Sequence, residues 1–193
     1  MTQLIKQQPL LRIADILLSI TGIICGLPII LAIYIAGLFD TGSPFFFQQR
    51  IGKDQKLFTL VKFRTMAINT GSVGTHLVNP SSITRLGTFL RNTKLDELPQ
   101  LFNVLLGHMS LVGPRPCLPN QTTLINERKK RGIFKVRPGL TGLAQVNEVD
   151  MSTPRKLSRY DLLMINSMNI KFYFKLIIAT CLRKGSGDRV RTS

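Results

Sequence analysis

The chain has 193 residues, 44% of them hydrophobic, and carries 26 Lys and Arg against 10 Asp and Glu, a formal net charge of +16. That length gives one compact domain with room for an appendage, and that apolar content excludes a disordered polybasic tail. Three widely spaced cysteines (Cys25, Cys117, Cys181) and two histidines (His76, His108) exclude a disulfide framework and a histidine-rich metal site, so the charge calls for a polyanion: nucleic acid, an anionic membrane face or phosphorylated substrates.

The first element runs from Ile16 to Phe39, 24 residues without a charge, bracketed by Asp15 and Asp40. As a helix it is ~36 Å long, enough to cross a hydrocarbon core of ~30 Å. It is too long for a cleavable signal peptide, and no small-residue cleavage site stands clear of it. Gly22, Gly26 and Pro28 sit near its middle, where Pro28 lacks a donor and its ring collides with the carbonyl of Ile24. A full break there leaves two arms of ~18 Å, neither able to span alone. Basic residues flank both ends, Lys6 and Arg12 before and Arg50, Lys53, Lys56, Lys62 and Arg64 after, a pattern that draws both ends to the cytoplasm. Two topologies fit these residues: a single span, since spanning helices tolerate proline, and a re-entrant hairpin kinked at Pro28.

Phe45–Ile51 and Leu57–Arg64 read as two strands around the polar turn Gly52–Lys56. The period of two puts Lys62 and Arg64 on one face of the second strand. Residues 69–84, rich in Gly, Asn, Ser and Thr, predict a loop, either a plain surface loop or an element closing over a site. Helices are predicted over Ile83–Arg91, Asp96–Gly107 and 119–131, with loop chemistry otherwise from Val112 to Gly142. Two amphipathic helices are predicted near 154–168 and 170–182. In the second, Lys171 and Lys175 lie among Phe172, Phe174, Leu176, Ile177 and Ile178, which suits a helix in the membrane interface or an ordinary packed helix.

Acids are scarce, so the adjacent pair Asp96-Glu97 stands out. Pro99 is cheap only in a first helical turn, which places both acids at a helix N-terminus facing the positive end of the dipole. Capping explains this, with Asp96 as N-cap or as the acid of a Thr93-x-x-Asp96 box. So does chemistry: a carboxylate kept anionic by dipole and cations can attack phosphorus while its neighbour holds Mg²⁺. The second constellation is cations placed by proline. Arg115 lies between Pro114 and Pro116, and Arg137 precedes Pro138-Gly139, a type II turn sequence, with Gly142 leaving backbone donors open to an anion. Together with Lys62 and Arg64, these groups describe a metal-assisted phosphoryl site.

Gln49-Arg50-Ile51-Gly52, Lys62-Phe63-Arg64-Thr65-Met66, Leu95-Asp96-Glu97-Leu98-Pro99-Gln100-Leu101, Gly113-Pro114-Arg115-Pro116 and Arg137-Pro138-Gly139-Leu140-Thr141-Gly142 occur in this order. From about Arg12 to Asp161 the sequence resembles the bacterial sugar transferase family, the small monotopic phosphoglycosyl transferases. The resemblance implies an α+β, mainly helical protein. A re-entrant membrane helix (1–40) would join a cytoplasmic catalytic core (41–193) with a small β-hairpin and interfacial amphipathic helices. It implies transfer of a sugar phosphate from a UDP-sugar to undecaprenyl phosphate at the bacterial inner membrane, with release of UMP. This would be the first membrane step of surface polysaccharide or glycoconjugate synthesis. Asp96 would be the nucleophile of a covalent phosphosugar intermediate, Glu97 (with Asp96) the Mg²⁺ ligand and Arg115 a phosphate contact. Lys62, Arg64 and Arg137 are further candidate phosphate contacts. The family breaks its helix at a Ser-Pro pair, which here is Leu27-Pro28. The C-terminal Asp-x-x-Tyr pattern becomes Asp161-x-x-Met164, a later family Asp falls at about Tyr173, and the Trp of the Trp-Ala-Gln-Val-Asn block is Leu143. The expected partners are the UDP-sugar, the polyprenyl phosphate and the anionic inner leaflet, with a homodimer left open. The other class is a non-enzymatic, membrane-tethered basic binder of anionic lipid or nucleic acid. Nucleic acid is not expected, because Trp is absent and Tyr numbers three.

Overall fold

The computed structural model describes residues 2–68, 70 and 82–182, with side chains from Pro9 onward. Most of the 69–84 loop expected from the sequence lies outside the described residues. In chain order the elements are α1 (Thr2–Asp40), β1 (Phe45–Ile51), β2 (Leu57–Phe63), α2 (Arg85–Thr93), α3 (Gln100–Leu105), β3 (Ser110–Val112), α4 (Thr122–Lys130), β4 (Gly139–Thr141), α5 (Leu143–Val146), α6 (Pro154–Ser167) and α7 (Ile170–Cys181). The class is α+β and mainly helical, as expected.

A full break at Pro28 does not occur: α1 is one helix with Pro9 and Pro28 inside it. Each proline removes a single ladder bond, and the turns on either side hold the chain helical. One narrow face of α1 packs against the rest of the protein along most of its length. Asp15, Ser19, Gly26, Ile33 and Gly37 are buried, and Gly22 and Ile30 fill the gaps at half burial. These positions recur every three or four residues, so they form one stripe. The other faces carry exposed apolar residues, among them Leu17, Ile24, Leu27 and Leu31.

Polar groups pin the start of that stripe. Asp15 Oδ1 accepts from Leu111 N at 2.8 Å, Ser110 Oγ at 3.0 Å and the Tyr173 hydroxyl at 2.7 Å. Burial and the Asp15 charge push the Tyr173 hydroxyl up, so it stays a donor. Arg12 donates to the carbonyls of Val104 (2.7 Å) and Leu105 (3.0 Å) at the C-terminal end of α3, where a cation also meets the negative end of the helix dipole. Farther along, Ile30 and Ile33 join Phe63 and Leu90 in one apolar cluster, and Gly37 lies against Pro44.

The hairpin forms where alternation and the polar turn predict it, in antiparallel register from Phe45 opposite Phe63 to Ile51 opposite Leu57. Asp54 and Gln55 take positive φ to close it. The predicted loop region from Val112 to Gly142 hides a second, parallel pair, β3 with β4. Gly139 opens β4 and lacks the positive φ that a type II turn at Pro138-Gly139 requires. Its glycine is required by close approach instead, since a Cβ there would lie 2.0 Å from Gly113 N. The largest cluster, with Leu60, Val104, Met109, Ile133, Met164 and Tyr173, sits beneath both strand pairs.

α6 and α7 appear where amphipathic periodicity placed them. In α7 both readings find a face: Tyr173 and Leu176 are core, while Phe174, Ile178, Lys171 and Lys175 are exposed. The two departures in the tail are absorbed by the core, because Met164 and Tyr173 are both almost fully buried.

Candidate active site

The acid pair does not start a regular α-helix. Lys94, with φ +60, caps α2 in the left-handed region and redirects the chain into a 3-10 turn over Leu95–Glu97; Pro99 then occupies the N-cap of α3. Thr93 is not the N-cap of this turn: it is the last residue of α2, its hydroxyl donates back to the carbonyls of Phe89 and Leu90, and the N-cap position falls to Lys94. Leu95 and Leu98, three residues apart, anchor the turn in the cluster around Ile33, Phe63 and Leu90. Asp96 is buried at 5% exposure and Glu97 is half-buried.

Arg115 reaches this pair: its Nη2 lies 3.5 Å from Glu97 Oε1. Arg115 also lines a small pocket, about 230 Å³ with its mouth included, together with Arg50, Leu60, Lys62, Gln100, Pro116, Gly139 and Leu140. Among the described residues three cations and no carboxylate line it, which makes it electrostatically suited to phosphate. Gln100 is 3% exposed, and its Nε2 has no hydrogen-bond partner among the described residues. A buried amide left in that state costs stability unless something else satisfies it.

The segment carrying Arg115 is held by two buried arginines. Arg50 Nη1 donates to the Pro116 carbonyl at 2.9 Å, and Arg128 Nη1 donates to the Arg115 carbonyl at 2.7 Å. Arg128 is itself fixed by Asp161, Nε to Oδ2 at 2.9 Å and Nη2 to Oδ2 at 2.8 Å, with both side chains 2% exposed. Burial pushes the Asp161 carboxyl up, and the Arg128 guanidinium opposes that push. Flanking prolines supply no backbone donors, so these side chains fix the segment through its carbonyls.

The structure therefore gathers Asp96, Glu97, Lys62 and Arg115 and leaves out two of the expected cations. Arg64 is spent on the hairpin: Nε donates to the Ser43 carbonyl at 2.9 Å, Nη2 to the Phe45 carbonyl at 3.2 Å, and the guanidinium lies 5.6 Å from the Phe46 ring centre. Arg137 donates to the Gly107 carbonyl at 2.8 Å and lines a different pocket. Arg50, Gln100, Arg128 and Asp161 were missed as site residues. Arg50 and Gln100 stand inside motif blocks. Nothing local in the sequence pairs Arg128 with Asp161, which lie on separate helices. No group of three or more His, Cys, Asp or Glu that could hold a metal occurs among the described residues.

A family model described as bacterial sugar transferase matches residues 6–185. The UDP-glucose:undecaprenyl-phosphate glucose-1-phosphate transferase of Klebsiella pneumoniae is 40% identical over 184 residues, 89% of this chain and 39% of that protein. The undecaprenyl-phosphate galactose phosphotransferase of Salmonella typhimurium is 37% identical over 162 residues, 74% of this chain and 34% of that protein. An uncharacterised sugar transferase of Bacillus subtilis, EpsL, is 37% identical over 170 residues, 88% of this chain and 84% of that protein. The chain thus spans well under half the length of the first two relatives.

Proposed function

The chain belongs to the bacterial sugar transferase family, and on that premise we propose that it transfers a sugar 1-phosphate from a UDP-sugar to undecaprenyl phosphate at the cytoplasmic membrane. The relatives' names supply the substrate classes, and the site supplies the chemistry. The observation that carries the reading is the buried Asp96 beside Glu97, joined through Arg115 to a pocket lined by three cations.

In the proposed reaction an Asp96 carboxylate oxygen attacks the phosphorus that bears the sugar. A new O–P bond forms, the bridging P–O bond of the diphosphate breaks, and UMP leaves with the bridging oxygen. A phosphate oxygen of the polyprenyl phosphate then attacks the same phosphorus. The Asp96–phosphorus bond breaks, the carboxylate returns, and the lipid diphosphosugar departs. Arg50, Lys62 and Arg115 offset charge on the phosphate oxygens, a preorganised electrostatic contribution. Two adjacent carboxylates suit Mg²⁺, which binds few protein ligands beside substrate phosphates and keeps its waters. Glu97 and Asp96 would hold it, and it would supply Lewis-acid polarisation of the phosphate oxygens.

Incubation with UDP-sugars and Mg²⁺ should release UMP and leave a phosphosugar adduct on Asp96, read by mass spectrometry of the Asp96 peptide. Asp96→Asn should abolish both signals. Normal turnover by that variant would exclude the covalent route.

The helix α1, unbroken at Pro28, is proposed to lie in the cytoplasmic leaflet without crossing the membrane. Support comes from the stripe of contacts that ties both ends of its apolar stretch to one body.

A further inference from the structure

Arg137 leads to a second pocket. It is about 560 Å³ with its mouth included, and is built from α1, the hairpin turn, the chain leaving β3 and the end of α6. Among the described residues its charged lining is Arg12, Lys53 and Arg137, with Asp15 as the one acid. Asp15 Oδ1 accepts three hydrogen bonds, from Ser110, Leu111 and Tyr173, and its Oδ2 lies 3.9 Å from Arg12 Nη1, so the acid offsets part of the Arg12 charge and leaves cations in excess in the lining. The two arginines are pre-placed by the carbonyls of Val104, Leu105 and Gly107, which lowers the ordering cost of binding an anion. Beside these cations lie the apolar side chains of Val136, Ile165 and Met168.

The two pockets share a wall. Gly113-Pro114 line the second and Arg115-Pro116 the first; Val136-Arg137 line the second and Gly139-Leu140 the first. Free phosphate would use the cations and leave the apolar lining idle. The wall from α1, Leu11, Arg12 and Asp15, adjoins exposed Leu10 and Ile13, 52% and 55% accessible, on the helix that carries the apolar stretch.

We propose that this pocket seats the phosphate headgroup of an anionic membrane lipid, with Arg12, Lys53 and Arg137 on the phosphate and the apolar residues against the first carbons of the lipid. It is a site distinct from the acid pair, and it does not depend on the chemistry proposed at Asp96.

Lys53 is the side chain to vary, because it makes no hydrogen bond or ion pair among the described residues whose loss would unfold the hairpin. The full chain in a neutral detergent is titrated with dioctanoyl phosphatidylglycerol, and bound lipid is counted by native mass spectrometry. The expected result is one saturable adduct, weakened about fivefold by Lys53→Gln and further by Lys53→Glu, as for a cation contacting lipid phosphate. Dioctanoyl phosphatidylcholine and inorganic phosphate should compete poorly. Wild-type binding by both Lys53 variants at unchanged Tm would overturn the site. Equal competition by inorganic phosphate would overturn the lipid assignment. The Asp96 adduct is measured in the same samples and should persist in Lys53→Gln. Its loss in that variant alone would overturn the separateness of the two sites, whereas its absence from the wild type would count against the proposed reaction only.

Discussion

Gln100 buries its amide among Arg50, Lys62 and Arg115 without a partner for Nε2 among the described residues. Gln100 lines the pocket, and a small rotation of its amide would let Nε2 donate to an anion held there, a role that would separate binding from stability. Gln100→Leu keeps the volume and removes an unsatisfied donor, so the folded protein should gain up to about 1 kcal/mol. Donor binding should move the opposite way, with KM for the UDP-sugar up about tenfold for one lost hydrogen bond to a charged group. Thermal melts and initial-rate kinetics on the one variant check both signs. Cys117 gives a second residue-scale expectation. It is fully buried, and burial pushes its thiol up from 9.0. A thiol raised on folding contributes stability that is complete below the unfolded value and is lost as pH rises through the folded one. Denaturation midpoints should therefore fall above pH 9.0, and less steeply in Cys117→Ala, which has no thiol to ionise.

Between elements, the decisive contact is the α4–α6 bridge of Arg128 and Asp161, since Arg128 also carries the Arg115 carbonyl. Removing one partner strands the other charge in the interior, so Asp161→Ala should cost about 3–5 kcal/mol, while Arg128→Met with Asp161→Leu should cost much less. The double variant removes the donor to the Arg115 carbonyl and Asp161→Ala loosens it, so both should lose turnover. A double-mutant cycle on urea midpoints, run beside UMP release, separates the two effects. This pair also marks where the sequence falls short. The hairpin was legible because seven-residue strands alternate visibly around a polar turn, and α6 and α7 because an apolar stripe repeats over several turns. The parallel pair β3–β4 has three residues per strand, too few for any period, and its mark is two glycines 26 positions apart whose backbones touch. The acid pair and Arg115 announced themselves through scarcity and flanking prolines. Arg64 shares the face of Lys62 as alternation requires, but the carbonyls of Ser43 and Phe45 claim its guanidinium first. Side-chain direction was readable there; competition among acceptors was not.

At the scale of the whole molecule, the question is whether α1 leaves the body or lies on it. A spanning helix whose globular part stays on one side touches that part only at one end. Here the apolar stretch is tied at Asp15 to β3 and α7, at Ile33 to Phe63 and Leu90, and at Gly37 to Pro44. From Leu11 to Gly37 the helix is ~39 Å long, and pulling its far half away would expose the cluster around Phe63 and Leu90. That cost opposes a transmembrane arrangement more strongly than Pro28 does, since α1 remains helical through that proline. Exposed Phe89 on α2, with Phe102 on α3 and Leu106 just after it, adds apolar surface that would enter the same leaflet. The expected topology has both ends of the stretch on the cytoplasmic side. In a Cys25→Ser, Cys181→Ser background, Pro9→Cys and Asp40→Cys should both resist a membrane-impermeant maleimide in intact spheroplasts and both react in inverted membrane vesicles. Labelling of either position from outside would mean that α1 crosses, and that the packing of Ile33 and Gly37 gives way in the bilayer.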